Sequence, residues 1–149
     1  KTVSYRIAQI DDADNIHKYE TNKIFGDQAE SFENKMSVWD SSFRKESLEH
    51  YFKLGWSFIA ETESHEIVGF FLGQPLLFID KQTQTLWVEH ISANTLEVFT
   101  ELVDIAYRLS REKHFQKVLF STSVEKEKLT KNFDFKPWDR QNIFLKTTK

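Results

Sequence analysis

The histidines of the chain are the residues best able to bind a metal ion or to carry a proton near neutral pH, and they are scattered. They are His17, His50, His65, His90 and His114. None has a second histidine one helical turn away, no HExxH stretch occurs, and the chain contains no Cys, so we predict no metal site. The stretches GxSxG and GxGxxG and the phosphate-binding P-loop are also missing. Their absence argues against serine hydrolases and nucleotide-binding enzymes.

A carboxylate and an imidazole stand side by side in a strand predicted over Thr85–Ile91. Because side chains alternate across a strand, one face should carry Trp87, Glu89 and Ile91, and the other Leu86, Val88 and His90. One face must therefore accommodate a polar group. His90 has two interpretations, a hydrogen-bonded edge residue or a base that titrates near operating pH.

An amphipathic helix is predicted to follow this strand, from Thr95 to Lys113. Its apolar stripe consists of Leu96, Phe99, Leu102, Val103, Ala106 and Leu109. With Asn94 as N-cap, Glu97 falls at the third helical position, where a carboxylate can fold back onto the N-cap amide. That negative charge would oppose an anion at the helix terminus. A self-capped helix that binds nothing is one interpretation of this segment.

Charge and composition exclude further classes of protein. The chain has 149 residues and a net charge of −3; residues 1–75 carry 8 basic and 13 acidic groups, and residues 76–149 carry 12 and 10. Neither half shows the clustered basic face of a nucleic-acid-binding protein. The longest apolar stretch, Ile67–Ile79, is interrupted and shorter than the ~20 residues of a membrane helix. We therefore expect neither a nucleic acid nor a membrane as partner.

Other features of the sequence concern compartment and domain organisation. The absence of Cys allows a reducing compartment, and we expect a cytoplasmic location. No repeat or linker divides the chain, so we expect one domain over residues 1–149. Because the chain begins without Met, we expect it to be a piece excised from a longer chain.

The predicted elements alternate between strands and helices. They are a strand over Val3–Ile10, a helix from Asp11 and Asp12 to about Glu20, a helix from Ser42 to Gly55, strands over Trp56–Thr62, Ile67–Leu72, Leu76–Ile79 and Thr85–Ile91, the helix described above, a strand over Lys117–Ser121, a short helix over Val124–Asn132, and a hairpin of Phe135–Trp138 and Ile143–Lys146. A strand, helix and strand in series imply a parallel pair with a right-handed crossover. That pair holds Val88 and Val118.

This order resembles that of the GNAT superfamily of acyl-CoA-dependent N-acyltransferases, over nearly the whole chain. The stretch KLTKNFDFKP, Lys128–Pro137, is similar to the family's segment leucine, tyrosine, x, lysine, leucine, glycine, phenylalanine, x, proline. Leu86, Trp87 and Val88 stand where the family's fourth strand leads into the cofactor loop. The resemblance implies an α/β (α+β) fold, with a mixed, mostly antiparallel sheet of about six to seven strands, helices on both faces and a central parallel strand pair.

The resemblance also implies acetyl-CoA or another acyl-CoA as cofactor. In the family, a loop of glutamine or arginine, x, x, glycine, x, glycine or alanine holds the pyrophosphate at the N-terminus of the long helix. Here Asn94, Thr95, Glu97 and Phe99 occupy that loop, so its length is kept and its chemistry is not. The implied cofactor contacts are Val88, Ile91, Asn94, Thr95, Leu96, Glu97 and Ser123, the first two through the backbone.

The roles of catalytic residues are carried over in the same way. Glu89 stands where the family often places a general base, with His90 as the second candidate. Thr130 stands at the family's tyrosine acid and Ser123 at its asparagine, so both matches fail. A threonine hydroxyl can orient a water but is a poor proton donor near neutral pH.

Aromatic residues leave the acceptor and the assembly open. Phe25, Phe32 and Trp39 line a cleft for a small-molecule or peptide amine or cover the sheet, and Trp138 and Phe144 belong to the core or to a homodimer face. Two functions remain. One is an acyl-CoA-dependent N-acyltransferase, and the other is a GNAT-fold module that has lost cofactor binding and serves as an interaction or regulatory domain.

Overall fold

A computed structural model gives the structure of residues 2–25, 45–78, 83–115, 117–121, 136–138 and 143–147. The strands of this part are β1 (Val3–Ile7), β2 (Phe58–Thr62), β3 (Ile67–Phe78), β4 (Thr83–Ala93), β5 (Lys117–Phe120), β6 (Lys136–Trp138) and β7 (Ile143–Thr147). The helices are α1 (Ala13–Phe25), α2 (Lys45–Leu54) and α3 (Leu96–Glu112), with a 3-10 turn over Ile10–Asp12.

Within the described residues these strands form one seven-stranded sheet in the order β1-β2-β3-β4-β5-β7-β6. Neighbouring strands are antiparallel except β4 and β5, which pair in parallel from Thr85 opposite Lys117 to Val88 opposite Phe120. Because α3 connects these two strands, it carries the chain back to the same end of the sheet. The predicted mixed sheet with a central parallel pair is confirmed.

Helices cover both faces of the sheet, as predicted. On one face α3 buries Val98, Leu102 and Ala106 in an apolar cluster with side chains of β3, β4 and β5. On the other face α1 and α2 bury Ile16 and Phe52 in a second cluster. The side chains of Leu102 and Ala106 are 0% and 1% exposed, as expected for the helix that crosses the parallel pair.

The first strand and helix have different bounds from those predicted. The strand ends at Ile7 because the chain then turns, with the Ala8 N–H donating to the carbonyl of Ser57 at 2.8 Å. Asp12 does not cap α1; its carboxylate accepts the Gln9 N–H at 2.8 Å and holds the 3-10 turn. Helix α1 runs to Phe25 rather than ending near Glu20.

Strand β3 is continuous where a break between Leu72 and Leu76 was predicted. At Gly73 the strand passes close to the chain before β2, since a Cβ at this position would lie 2.5 Å from the carbonyl oxygen of Trp56. Pro75 is accommodated because the described register between β2 and β3 extends only to Phe71, and such strand edges tolerate proline.

Several predictions lie outside the described residues. These are the start of a helix at Ser42, the aromatics Phe32 and Trp39, the helix over Val124–Asn132, and the site residues Ser123 and Thr130. The side chains of Phe25, Trp138 and Phe144 are likewise not described. No helix in the described part of the chain is long and apolar enough to cross a membrane.

Candidate functional site

Strand β4 contains a bulge at Glu89. His90 pairs with Leu72 and Val88 pairs with Gly73, so one extra residue lies on β4 between two consecutive partners on β3. An extra residue reverses the alternation of side chains beyond it. Val88 and Ile91 consequently both join the cluster under α3, and the predicted placement of His90 with Val88 and of Ile91 with Glu89 is wrong.

The bulge brings Glu89 and His90 to the face covered by α1 and α2. The indole N–H of Trp87 donates to Oε2 of Glu89 at 3.2 Å. Burial, followed by the charge of Glu89, raises the pKa of Tyr51 on α2 to about 12. The His90 ring lies 5.7 Å from that of Phe70, which belongs to the cluster under α1 and α2. Two adjacent groups that can take a proton therefore face the same layer.

Glu20 of α1 is a third group at this place, and the sequence analysis missed it. Its Oε1 lies 3.6 Å from Nε2 of His90, and the residue is only 4% exposed. Glu20 follows Ala13 and Ile16 at helical spacing, and all three are buried. An acidic residue at the end of a buried apolar stripe was the signal in the sequence that could have identified it.

Tyr19 links α1 to the end of β4. Its hydroxyl donates to Oδ1 of Asn94 at 2.7 Å, and its ring meets the Phe70 ring edge-on at 6.0 Å. Burial, with Glu20 as the next cause, raises the pKa of Tyr19 to about 12. The phenol is therefore neutral near pH 7 and serves as a hydrogen-bond donor.

Helix α3 begins one residue later than predicted, with Thr95 as its N-cap. The Thr95 hydroxyl accepts the Val98 N–H at 3.2 Å, and its carbonyl accepts the Phe99 N–H at 3.0 Å. Asn94 cannot serve as the cap because its N–H donates to the carbonyl of Val68 at 2.9 Å and its side chain accepts from Tyr19. The predicted capping box between Asn94 and Glu97 is therefore wrong, and Glu97 lies at the second helical position.

Phe99 and Glu97, which stand in place of the family's loop residues, lie on different sides of the helix. Phe99 is 1% exposed and belongs to the cluster under α3. Glu97 lies on the β1 side of the helix, where burial and then the charges of Glu101 and Glu97 raise the pKa of Tyr5. An open cavity of about 480 Å³ separates β1 from this turn of the helix. Strand β5 lies on the opposite side of β4 from β1.

The terminus of α3 can therefore hold an anionic group. The first intrahelical bond goes from the Phe99 N–H to Thr95, so the amides of Leu96 and Glu97 precede it and point out of the helix. Such amides and the helix dipole attract phosphate groups. Lys and Arg are absent from the described residues around the adjacent cavity, so the attraction comes from the backbone alone. The amides at this terminus suit the pyrophosphate of a CoA thioester, although the family's glycines are absent and Glu97 and Glu101 line the adjacent cavity.

The parallel ladder ends beside the bulge. The Ser121 N–H donates to the carbonyl of Val88 at 3.0 Å, and the described register between β4 and β5 stops there. Strand β4 continues through Ile91 to Ala93 and then into α3. The bulge and the helix terminus thus lie at the same end of the parallel pair, whereas the backbone contacts predicted for Val88 and Ile91 remain predictions.

No cluster of three or more potential metal-binding side chains occurs in residues 2–25, 45–78, 83–115 or the described C-terminal strands. Glu20, Glu89 and His90 are the groups of the site that can exchange a proton. Glu20 and both ring nitrogens of His90 are buried beside the bulge.

Several solved structures similar to this chain are acetyltransferases. The PaiA N-acetyltransferase from Thermoplasma acidophilum, in complex with coenzyme A, has a TM-score of 0.71, 12% identity and 99% coverage of both chains. Arylalkylamine N-acetyltransferase 2 from Aedes aegypti has a TM-score of 0.69, 10% identity and complete coverage of both chains. A GNAT-family acetyltransferase from Listeria monocytogenes 4b F2365 has a TM-score of 0.66, 15% identity and coverage of 97% and 94%. The chain has the GNAT fold.

Sequence comparison adds no closer relationship. No protein-family model matches the chain, and the search of curated proteins finds no significant match. At identities of 10–15% the structural similarity concerns the fold, and the function has to be argued from the site.

Proposed function

We propose that this domain is an acyl-CoA-dependent N-acyltransferase that acylates a small-molecule or peptide amine. The observation that carries the proposal is the convergence of Glu20, Glu89 and His90 at the β4 bulge. This cluster lies at the end of the parallel ladder that also holds the start of α3. The three side chains that can take a proton therefore lie at the same end of the sheet as the helix terminus that attracts phosphate.

The cofactor would be held by the amides at the start of α3, with Thr95 fixing the first turn. When bound, acyl-CoA supplies the thioester carbonyl that is attacked and the thiolate that leaves. That thiol has an ordinary pKa near 8.5, so its thiolate leaves without a strong acid. This tolerance matters because Thr130 stands where the family's tyrosine acid is expected.

The chain's own contribution is to remove a proton from the amine. An alkylammonium ion must lose a proton before its nitrogen can attack a carbonyl, and a positioned base contributes about 10²–10⁴-fold. Glu89 is the first candidate, because its carboxylate is oriented by Trp87 and faces the layer of α1 and α2. His90 is the second, one residue further along the same face.

The structural neighbours support this proposal in two ways. The PaiA structure holds coenzyme A, and the Aedes aegypti protein is named for arylalkylamines. We take from them an acyl-CoA and an amine as the two reactants. Glu89 at the bulge and Glu20 of α1, which lies beside His90, are acidic and suit a cationic acceptor.

A silent GNAT-fold module is the second candidate, and the start of α3 favours it. Thr95, Glu97 and Phe99 replace a basic residue and glycines of the family's loop. Without close approach of phosphate to the backbone, affinity for CoA is lower. Such a domain would serve as an interaction or regulatory module.

Calorimetric titration with CoA and acetyl-CoA separates the two functions, followed by acyl transfer to a panel of primary amines. Because the chain contains no Cys, released CoA can be quantified with a thiol reagent without a protein background. We expect saturable binding, weaker than micromolar, and amine-dependent release of thiol. The absence of both, at millimolar cofactor, would refute the enzyme and leave the silent module.

The base is tested by Glu89→Gln, which keeps the shape of the side chain and removes its basicity. We expect kcat to fall by at least tenfold with unchanged CoA affinity. Glu66→Gln, in an exposed turn between β2 and β3, is the matched control. Unchanged kcat in Glu89→Gln across the pH range would transfer the role to His90.

A further inference from the structure

A hydrogen bond joins α1 to the residue just before α3. The hydroxyl of Tyr19 donates to Oδ1 of Asn94 at 2.7 Å, although the two residues are 75 positions apart in the chain. Asn94 and Thr95 are exposed, so a ligand at the start of α3 can reach this place. The backbone of Asn94 is fixed separately, because its N–H donates to the carbonyl of Val68 at 2.9 Å. The cap of α3 does not need the Asn94 side chain, since Thr95 provides it.

The phenol of Tyr19 is held in place by its surroundings. Its ring packs edge-on against that of Phe70 at 6.0 Å, and Phe70 is fully buried. Burial, followed by the charge of Glu20, raises the pKa of Tyr19 to about 12, while a hydrogen bond with the Ser92 side chain acts in the opposite direction. That direction is expected when the Ser92 hydroxyl donates to the phenol oxygen. The phenol therefore keeps its own proton near pH 7 and donates it to Asn94.

This bond determines which end of the Asn94 carboxamide a ligand meets. A carboxamide has an acceptor end, the carbonyl oxygen, and a donor end, the NH2 group. Because Oδ1 accepts the Tyr19 hydroxyl, the NH2 group is the end turned away from the phenol. A donor at the exposed start of a helix adds to the backbone amides that attract an anion there.

A neutral donor matters at this terminus because a basic residue is missing. The stretch from Ser92 to Phe99 contains neither Lys nor Arg, and Glu97 adds a negative charge in the first turn of α3. The backbone donors are the amides of Leu96 and Glu97, and the Asn94 carboxamide, next to them in the chain, has two further N–H groups. A carboxamide that rotated freely would present its oxygen to an anion as readily as its NH2 group. Its orientation therefore decides whether it attracts phosphate.

We infer that Tyr19 is a positioning residue of the proposed acyl-CoA site, where its hydroxyl holds Oδ1 of Asn94 and thereby directs the carboxamide NH2 group to the phosphate groups of the cofactor at the start of α3. This inference rests on the proposed function. It assigns a contact with the pyrophosphate to Asn94, and Tyr19 acts through Asn94 alone.

Calorimetric titration with CoA in a double-mutant cycle tests the pairing. Tyr19→Phe removes the hydroxyl and keeps the ring on Phe70, and we expect it to weaken CoA binding by about three- to tenfold. In the Asn94→Ala background the same substitution should cause no further loss, because the carboxamide that it orients is gone. Tyr107→Phe, which removes a hydroxyl further along α3, is the matched control and should leave CoA affinity unchanged. A full loss in the Asn94→Ala background, or no loss in the parent, would overturn the inference.

A truncated acyl donor and a charged variant locate the effect at the phosphate groups. S-acetylpantetheine lacks the pyrophosphate, so its kcat/KM should change by less than about twofold in Tyr19→Phe, while that of acetyl-CoA falls. Asn94→Asp keeps an acceptor for the Tyr19 hydroxyl but replaces the NH2 group by a negative charge. It should bind CoA more weakly than Asn94→Ala does, without a lower Tm. Equal losses for the two acyl donors, or parent-like CoA affinity in Asn94→Asp, would overturn the inference.

Nitrogen NMR relaxation of side-chain NH2 groups gives a readout that needs no ligand. In the unliganded parent we expect the NH2 group of Asn94 to be ordered, and in Tyr19→Phe we expect it to become more mobile. The NH2 group of Asn15, an exposed residue of α1, should be unchanged. Equal mobility of the Asn94 group in both proteins would overturn the inference. If the parent does not bind CoA, the proposed function fails, and this mobility still decides whether Tyr19 orients Asn94.

Discussion

Replacing Gly73 by Ala is expected to destabilise the fold at the position that faces the β4 bulge. Gly73 pairs with Val88, the last residue before the extra one, and its N–H donates to the hydroxyl of Ser57 at 3.0 Å. A Cβ at Gly73 would lie 2.5 Å from the carbonyl oxygen of Trp56 and 3.2 Å from a ring carbon of Phe71. The first contact is with backbone, which cannot rotate away, so β3 has to move.

The size of the effect follows from that contact. Real Cβ atoms essentially never approach another heavy atom closer than 3.0 Å, so the strand and the carbonyl must separate by at least 0.5 Å, the difference between 3.0 and 2.5 Å. Overpacking of a buried site costs about 1–3 kcal/mol, and in a protein of this size each kcal/mol lowers Tm by about 2–4 °C. We therefore expect Gly73→Ala to lower Tm by about 2–12 °C.

The comparison variant is Gly69→Ala, which also lies in β3. There the nearest atoms are Cγ1 of Val98 at 2.8 Å, the carbonyl oxygen of Ser92 at 3.0 Å and Cδ1 of Leu102 at 3.1 Å. The closest atom is the end of a side chain, so we expect a smaller loss than for Gly73→Ala.

Urea or thermal unfolding monitored by circular dichroism measures both variants. An unfolding free energy of Gly73→Ala within about 0.5 kcal/mol of the parent would refute the close approach of the Trp56 carbonyl. Acyl transfer provides the second readout. A shift of Gly73 disturbs the bulge that orients Glu89 and His90, so kcat should fall with stability in Gly73→Ala.

Three further predictions concern the start of α3 and the first strand. Thr95→Ala should cost about 1 kcal/mol in urea unfolding, since it removes the N-cap; if Thr95→Ala costs nothing and Asn94→Ala weakens the helix, the cap is assigned to the wrong residue. Glu97→Gln should raise the affinity for CoA in calorimetry by about two- to fivefold, the worth of a charge at a helix terminus, and no gain at low salt would show that the carboxylate is not an obstacle. Hydrogen bonds from Arg6 lower the pKa of Asp12 below its ordinary value of 3.8, so this pair stabilises the fold above that value and its contribution is lost as the pH falls through the lowered pKa. Arg6→Met should therefore cost about 0.5–1 kcal/mol at pH 7, since the guanidinium is partly exposed, and less once the pH has fallen through the lowered pKa of Asp12; a loss independent of pH in denaturation would contradict the assignment.

Element order and periodicity could be predicted from local sequence. The stripe that includes Leu102 and Ala106 fixes a helix face, and a helix between two apolar strands imposes their parallel pairing. Glu89 and His90 were identified as candidate bases before their positions were known. These features depend on residues close together in the chain, which is why the pattern was sufficient.

Which face of the sheet each side chain of β4 beyond Val88 occupies depends on the pairing of β4 with β3. A bulge is a mismatch of register between two strands, here where Leu72 and Gly73 pair with His90 and Val88, and alternation along a single strand does not reveal it. The same applies to the cap of α3, because Asn94 is a good N-cap residue in isolation. In the structure Asn94 instead forms hydrogen bonds with Val68 and Tyr19, which are distant from it in sequence.

The sequence by itself therefore determined the class of fold, the two layers of helices and which residue types carry a proton. Only the tertiary structure placed Glu20 beside His90, turned Glu89 and His90 to the same face, and directed Glu97 to the β1 side of α3. The physical reason is that burial and charge pairing act between segments far apart in the chain. The preferences that set a helix or a strand act within a few residues.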